Sequence, residues 1–447
     1  MEEVTLTQVL QARENRALIQ RKLLSENHAV LSFCMNIPGP VKTSPLILRT
    51  FELGLSLLDK SFKENNIQIL NRVDIRQVTG PELICSLSCS ALEAKKLCLE
   101  IEESCTAGRL FDMDVMDTEG NKLQREKERD CIVCGKSGRF CASRRVHSVE
   151  ELQKAVRKIM ENTFLELDRN TVSSLATSAL EKEIRTTPKP GLVDLNNSGS
   201  HKDMDVKTFE KSIESLKSYW GDCFDIGVKY KDDNCFPILR GRGKKAEIDM
   251  LKATGGVNTH KGAIFLLGSL CCACGRLWKA ESPCTEPALL AKECSRLYKS
   301  EAEKDFKIIS DTTSEKTKGE KIYLEYGLKG ARGEVENGFE SVLYTALPMY
   351  EKALADGFSE NDSAVYSLLS LIALGKDTNM IARGGKEKAD YYSLKVREKI
   401  EGCNYPSMEE IKIIDKFFID ENLSPGGCAD LLATSIFMHD WRVKCFS

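Results

Sequence analysis

Residues Thr254–Phe265 read TGGVNTHKGAIF, and the apolar run that begins at Ala263 continues through Cys274. Paired glycines, then Asn258, His260 and Lys261, then a long apolar stretch predict a tight turn feeding a buried helix. The first turn of a helix leaves backbone N–H groups unpaired and carries the positive dipole end, and glycines let a ligand approach closely. The segment is therefore expected to receive an anion, through the amide of Asn258, the imidazole of His260 and the amine of Lys261. A glycine turn before an ordinary core helix would be written in the same letters.

Upstream, TPKPGLVD (Thr187–Asp194) breaks the preceding helical pattern with two prolines and a glycine and fixes a rigid turn. HKDMD (His201–Asp205) follows. Its Asp203 and Asp205 would diverge by about 200° on a helix, so a loop or a helix start suits them better. Arg240, Gly243 and Glu247 precede the glycine turn. GARGEVENGF (Gly330–Phe339), DTNMIARGG (Asp377–Gly385) and NLSPGGCADLLA (Asn422–Ala433) come after it. Each alone reads as a capped helix end. Together they describe loops at the mouth of a helical bundle, rich in carboxylates for a metal and donors for phosphates. TPKPGLVD, HKDMD, GGVNTHKGAIF, GARGE and SPGGCADLLA, in that order, resemble the motif series of the triphosphoribosyl-dephospho-CoA synthases, from about residue 165 to the C-terminus.

The texture changes near residues 147–170. Before it, strand-like runs alternate with helices: a helix around Leu10–Leu24, an extended run Val30–Ile37 leaving through IPGPVKTSP, a helix Leu46–Lys63, strands Ile67–Asp74 and Glu82–Ser88, and a helix Ala91–Glu103. This is an α+β pattern. GRLFDMDV (Gly108–Val115) alternates, so that as a strand it would bury Phe111, Met113 and Val115 and project Asp112 and Asp114 together from the other face. Two adjacent carboxylates suit Mg²⁺, and Arg109 could reach the same phosphate. The polar run Asp311–Lys321 reads as a solvated loop.

LQARENRALIQ (Leu10–Gln20), MNIPGPVKTSP (Met35–Pro45), GRLFDMDV and CIVCGKSGRFCASRRVHSVEEL (Cys131–Leu152) resemble the motifs of holo-citrate lyase synthase. The expected organisation is thus multidomain: an α+β nucleotidyltransferase-like domain over 1–165, then an all-α helical-bundle domain over 166–447. Cys131, Cys134, Cys141 and His147 could ligate Zn²⁺. The neighbouring Arg139, Arg144 and Arg145 suggest phosphate contacts instead, and redox-active or packed thiols are further readings. Two departures from the families stand out: Cys428, where a small hydroxyl residue is usual, and Gly138 with Phe140, where an Ala-rich stretch is.

Composition agrees with a large enzyme. The chain has 447 residues, 42% of them hydrophobic, enough for two cores. Its 64 basic and 67 acidic residues leave a net charge of −3, which argues against a nucleic-acid binder. No secretory leader pattern opens the chain and no apolar run reaches membrane-spanning length. The 18 cysteines are therefore expected as reduced thiols in a cytoplasm.

The two resemblances imply two reactions. ATP and 3′-dephospho-CoA would give triphosphoribosyl-dephospho-CoA and adenine, and that group would then pass to a serine of the citrate lyase acyl carrier subunit with release of pyrophosphate. For the first reaction Asp203 and Asp205 are expected to hold Mg²⁺. Lys189, Lys261, Arg332 and Arg383 would bind substrate phosphates, Glu247 or Glu334 would do acid–base work, and His260 would assist. For the second, Asp112 and Asp114 would hold Mg²⁺ beside Arg109. The acidic carrier would dock on Arg125, Lys127, Arg129, Arg139, Arg144 and Arg145. Rival readings are the equivalent malonate decarboxylase system, a metal-dependent nucleotide ribosyl hydrolase, and a non-catalytic zinc-bearing nucleotide-binding module.

Overall fold

The computed structural model describes residues 2–444 except 127, 233, 312–315 and 404. Lys127 of the expected docking surface thus lies outside the described residues. The chain forms two compact units, one of residues 1–167 with 279–282 and one of 168–278 with 283–447.

The first unit contains α1 (Leu6–Leu24), β1 (Ala29–Met35), α2 (Pro45–Glu64), β2 (Ile69–Gln77), β3 (Gly80–Leu87), α3 (Ala91–Ser104), β4 (Phe111–Met116) and α4 (Gly138–Ser143). α5 (Val149–Arg185) begins in it and continues into the second. Local signals set the helix starts: Thr5 and Gln8 form a capping box on α1, and Ser44 caps α2 with Pro45 in its first turn. The sheet is antiparallel in the order β2–β3–β1–β4. One face is apolar and packs on α2 and α3 through Leu31, Phe33, Leu83, Cys85, Phe111, Met113 and Val115. Phe33 stacks on Phe51 of α2 at 4.6 Å, and each such buried ring contributes roughly 1.5–3 kcal/mol. The other face carries Glu82, Cys34 and Asp112 in one row across three strands, with Ser32 and Asp114 in the next position along β1 and β4. The alternation read in GRLFDMDV is therefore present. Its Gly108 is a packing requirement, since a Cβ there would lie 2.3 Å from the Glu102 carbonyl oxygen.

The second unit is helical: α6 (Val206–Lys229), α7 (Cys235–Ala253), α8 (Lys261–Arg276), α9 (Pro287–Asp311), α10 (Lys318–Tyr326), α11 (Gly330–Glu336), α12 (Leu347–Ala355), α13 (Glu360–Ile372), α14 (Thr378–Gly384), α15 (Lys386–Cys403), α16 (Met408–Asp420) and α17 (Gly426–Lys444). At the centre is α8, whose sixteen residues are all buried except Lys261, Gly262 and Phe265. It approaches α6 closely because Gly227 and Gly275 each face the other helix's backbone, where a Cβ would come within 2.0 Å of a carbonyl oxygen. The run Asp311–Lys321, expected as a solvated loop, is helical at both ends. α9 runs to Asp311, and a Thr317–Glu320 capping box starts α10 at Lys318. Thr312–Glu315, in the middle of that run, lie outside the described residues.

Candidate functional site

In the first unit the polar face of the sheet opens into a cavity of about 180 Å³ lined by Arg13 and Arg16 of α1, Cys34, Lys42, Glu82 and Asp112. Arg16 is held by two bonds to Glu82, of 2.9 and 2.5 Å. Burial, and then the neighbouring Asp114, push the Asp112 carboxyl above the usual carboxylate range. Burial also lifts the Cys34 thiol to about 12, so it remains a weak donor 3.8 Å from Asp112. Asp114 pairs with Lys122 at 2.5 Å.

Arg109 belongs to a second cavity of about 850 Å³, whose wall also carries Arg125, Arg129, Arg139, Arg145 and His147. Asn36 borders both cavities. Arg109 therefore does not share the Asp112 pocket as the sequence suggested; its guanidinium donates to the Asp130 carbonyl, and burial beside Arg129 lowers its basicity. Arg125 and Arg129 are likewise less free for a docking protein than expected. Both ion-pair with the buried Glu102, which also accepts the Met113 N–H at 3.1 Å. Arg144 lies over the Phe140 ring at 4.8 Å. The ligand atoms of Cys131, Cys134, Cys141 and His147 fall within 4.8 Å of one another, an arrangement able to hold a metal ion.

In the second unit two cavities of about 350 Å³ share Ala331 of α11 as a lining residue. One carries Arg240, Lys244, Lys261 and Arg332 with Glu247. Lys261 and Glu247 pair at 3.1 Å, and Arg240 bonds Asp305 at 2.8 Å. The other carries Glu334, Asp377 and Asp430 with Lys329 and Lys376. Glu334 accepts the Ser341 hydroxyl at 2.5 Å and its N–H at 3.2 Å, and burial raises its carboxyl. Asp377 caps α14 through the Asn379 and Met380 N–H groups and also accepts the Cys428 N–H at 2.8 Å. The Cys428 thiol bonds Asp377 as well, so at residue 428 it stands as donor where a small hydroxyl residue is usual. Asp430 accepts the Ala263 N–H, and burial together with Glu183 and Asp377 pushes its carboxyl well up. The helix terminus that the sequence reading offered to a ligand is therefore met by a carboxylic side chain of the chain itself. Asp377 and Asp430 escaped the sequence reading, although both lie in motifs it singled out.

Of the expected site residues, Glu247, Lys261, Arg332 and Glu334 line these cavities, while others are placed elsewhere. Lys189 is buried, with Nζ 2.6 Å from Glu183 Oε1 and 2.8 Å from the Glu183 carbonyl. A phosphate cannot reach it without breaking that pair. Asp205 caps α6 through the Thr208 N–H and hydroxyl, both at 2.8 Å, and Asp203 is exposed with His201 Nδ1 at 3.9 Å. The Asp205 carboxylate is thus engaged in the helix cap, not left open for Mg²⁺. Arg383 ties the 200–201 and 422 loops together through Ser200 and Asn422. His260 is buried, its Nδ1 2.7 Å from the Ser212 hydroxyl; burial and then Lys189 lower it to about 3. It is a neutral packed imidazole, and its Nε2 has no hydrogen-bond partner among the described residues. Asn258 is exposed beside Gly255 and Gly256, around which there is open space.

Among known proteins, the family model described as ATP:dephospho-CoA triphosphoribosyl transferase matches residues 169–444, and that described as apo-citrate lyase phosphoribosyl-dephospho-CoA transferase matches 4–163. A protein named CitXG from Leuconostoc mesenteroides is 32% identical over 98% of this chain and 97% of its own length. Its namesake from Haemophilus influenzae is 31% identical over the same shares. The 2-(5″-triphosphoribosyl)-3′-dephosphocoenzyme-A synthase of Escherichia fergusonii is 38% identical over 61% of this chain and 91% of its own. The apo-citrate lyase match favours the citrate over the malonate system, and both matched families are transferases, not hydrolases or binding modules. With two family matches in tandem and likeness to fused relatives along nearly the whole length, the chain belongs to the fused transferases that make and attach the citrate lyase prosthetic group, and is bifunctional.

Proposed function

We propose that the paired cavities around Ala331 are where the helical unit, over about residues 166–447, joins ATP to 3′-dephospho-CoA. The observation that carries this reading is their division of charge: a basic side with Arg240, Lys244, Lys261 and Arg332, and a carboxylic side with Glu334, Asp377 and Asp430. The basic side suits the triphosphate. Attack of the dephospho-CoA 2′-hydroxyl on C1 of the ATP ribose, with adenine leaving, passes through an oxocarbenium-like state that a carboxylate stabilises. Glu334, raised by burial, is suited to hold or return the proton that moves from the hydroxyl to the leaving base, and Glu247 is the alternative.

The N-terminal unit, over about residues 1–165 and of nucleotidyltransferase type, would then present the new group to a serine of the acyl carrier subunit. The serine oxygen bonds to the α-phosphorus and pyrophosphate leaves. Arg13, Arg16 and Lys42 surround Asp112 and would offset triphosphate charge. Two carboxylates projecting from one strand face, one of them raised by burial and then by the other, fit Mg²⁺, so Asp112 and Asp114 would hold the ion. When bound it would neutralise phosphate charge. Exposed Arg139 and Arg144 suit an acidic carrier. The Cys131–His147 donor set suits Zn²⁺. A cytoplasmic setting accords with seventeen free cysteines among the described residues. Among those residues no helix is long and apolar enough to cross a membrane.

Purified protein with ATP, Mg²⁺ and 3′-dephospho-CoA should release adenine and form the triphosphoribosyl adduct; adding apo carrier should give a heavier carrier and pyrophosphate. Free ribose triphosphate in place of the adduct would make the helical unit a hydrolase.

A further inference from the structure

We propose that Cys131, Cys134, Cys141 and His147 bind one Zn²⁺ tetrahedrally, and that this ion fastens the arginine-bearing wall of the 850 Å³ cavity. Two independent observations carry the site. The four donors converge within 4.8 Å from two separate local structures. Cys131 and Cys134 lie on a tight turn, in which Gly135 N–H bonds the Cys131 carbonyl at 2.9 Å and Gly135 takes φ +71°. Cys141 lies on α4, and His147 follows the chain reversal at Arg145, φ +49°. In a tetrahedral thiolate site with Zn–S of about 2.3 Å, neighbouring sulfurs sit roughly 3.8 Å apart. Cys134 and Cys141 sulfurs are 3.5 Å apart already. The His147 Nε2 atom, moreover, is buried with no hydrogen-bond partner among the described residues, a costly state that a metal bond would relieve.

The second observation concerns what holds this segment. From Asp117 to Ser148, Cys141 is the sole buried residue among those described. So little apolar burial cannot order a chain segment against its conformational entropy, and short segments of this kind are usually stapled by a metal or a disulfide. A Cys134–Cys141 disulfide would staple it too, but would leave Cys131 and His147 directed at the same point without a purpose. A four-sulfur cluster lacks its fourth cysteine. Zn²⁺ accepts three thiolates and one imidazole.

The consequence follows from position. Cys131, Cys141 and His147 line the same cavity as Arg109, Arg139 and Arg145, and Gly138 lies against the Arg129 carbonyl so closely that a Cβ would come within 2.6 Å. Fixing the donors fixes the arginines between them. Zn²⁺ is thus a positioning ion for carrier or triphosphate contacts, not a reacting group. This second step rests on the transfer function proposed above.

The test begins with the full chain purified without chelator or added zinc, its metal measured by mass spectrometry and its thiols by alkylation mapping. Near-stoichiometric zinc is expected, strongly reduced in Cys134→Ser and His147→Ala. Cobalt replacement should give the visible and charge-transfer bands of a tetrahedral thiolate site. His147→Cys, which keeps four ligands, should retain the ion with shifted bands, so a folding failure of the other variants does not decide the matter. Absence of metal, metal unaffected by Cys134→Ser, or a Cys134–Cys141 disulfide in the native chain would overturn the site. Zinc-selective chelation with Mg²⁺ in excess should depress carrier modification at least tenfold and leave adenine release intact; loss of both activities or of neither would overturn the positioning role. Should the metal-loaded chain modify no carrier at all, the transfer reading fails, while zinc content and cobalt spectrum still decide the site.

Discussion

The carboxylate of Asp430 occupies the space that a side chain on Gly262 would need: a Cβ at residue 262 would lie 2.0 Å from Asp430 Oδ2. Glycine in the first turn of α8 thus admits an acid from α17, which accepts the Ala263 N–H and faces the carboxylic cavity. Gly262→Ala should displace Asp430 while leaving the buried body of α8 unchanged. Adenine release is expected to fall on the order of a hundredfold, as for a misplacement of about 1 Å at a reacting group. Circular dichroism should be unaltered, and transfer of preformed triphosphoribosyl-dephospho-CoA to the carrier should persist. Adenine release within twofold of the parent would show that Asp430 has no part in the chemistry.

Glu334→Gln separates activity from stability. The carboxyl is raised by burial, so the folded chain holds its proton more tightly than the unfolded chain does. That contribution is complete below the unfolded range near about 4.3 and is lost as pH rises through the folded value. The amide abolishes the loss. The variant should therefore melt at or above the parent temperature at pH 8, the gap closing toward about pH 4, while adenine release drops on the order of a hundredfold. A lower melting temperature at pH 8 with undiminished turnover would oppose both halves.

Lys189 and Glu183 form a buried pair at 2.6 Å. Removing one member leaves the other charge without compensation, a cost of about 3–5 kcal/mol. Lys189→Ala should accordingly lose much of its thermal stability, and Lys189→Met with Glu183→Gln should recover a large part of it. The KM for ATP should stay near the parent value in the folded fraction. A raised KM with unchanged melting temperature would restore Lys189 as a phosphate ligand.

That pair also shows where sequence reading stops. In TPKPGLVD a lysine flanked by prolines looks like a loop cation awaiting phosphate, but the turn folds it back onto a glutamate six residues upstream. Periodicity was enough for β4, because alternation fixes both faces of a strand whatever lies beyond it, and for α8, because an apolar run has to be buried. Asp430 gave a fainter signal, an acid at the start of the otherwise apolar ADLLA. Its role depends on the approach of α17 to α8, which no local pattern encodes. Asp205 illustrates the reverse error: it was placed correctly at a helix start, yet that position turns its carboxylate toward the Thr208 N–H.

Asp112→Asn should silence one activity and spare the other. The side chain lies on the polar face of the sheet beside Arg13, Arg16 and Lys42, and its proton affinity is raised by burial and by Asp114. The amide removes that repulsion, so the melting temperature should hold or rise. Carrier modification should fall on the order of a hundredfold or more, as when a preorganised electrostatic group is lost. Adenine release by the same preparation is the internal control. Equal loss of both activities would mean that Asp112 supports the fold and not the transfer.

His260 contributes to the acid limb of stability. In the folded chain burial holds it at about 3, whereas an unfolded histidine titrates near about 6.5. Between those values the unfolded chain binds a proton that the folded chain does not, so stability falls as pH falls from about 6.5 toward about 3. His260→Gln should flatten the dependence of melting temperature on pH between about 6.5 and 4. It should introduce no change in the pH profile of adenine release above pH 6, because the imidazole is already neutral there. Parallel melting and turnover profiles on parent and variant give both readings; abolished turnover with an unaltered melting profile would return His260 to the chemistry.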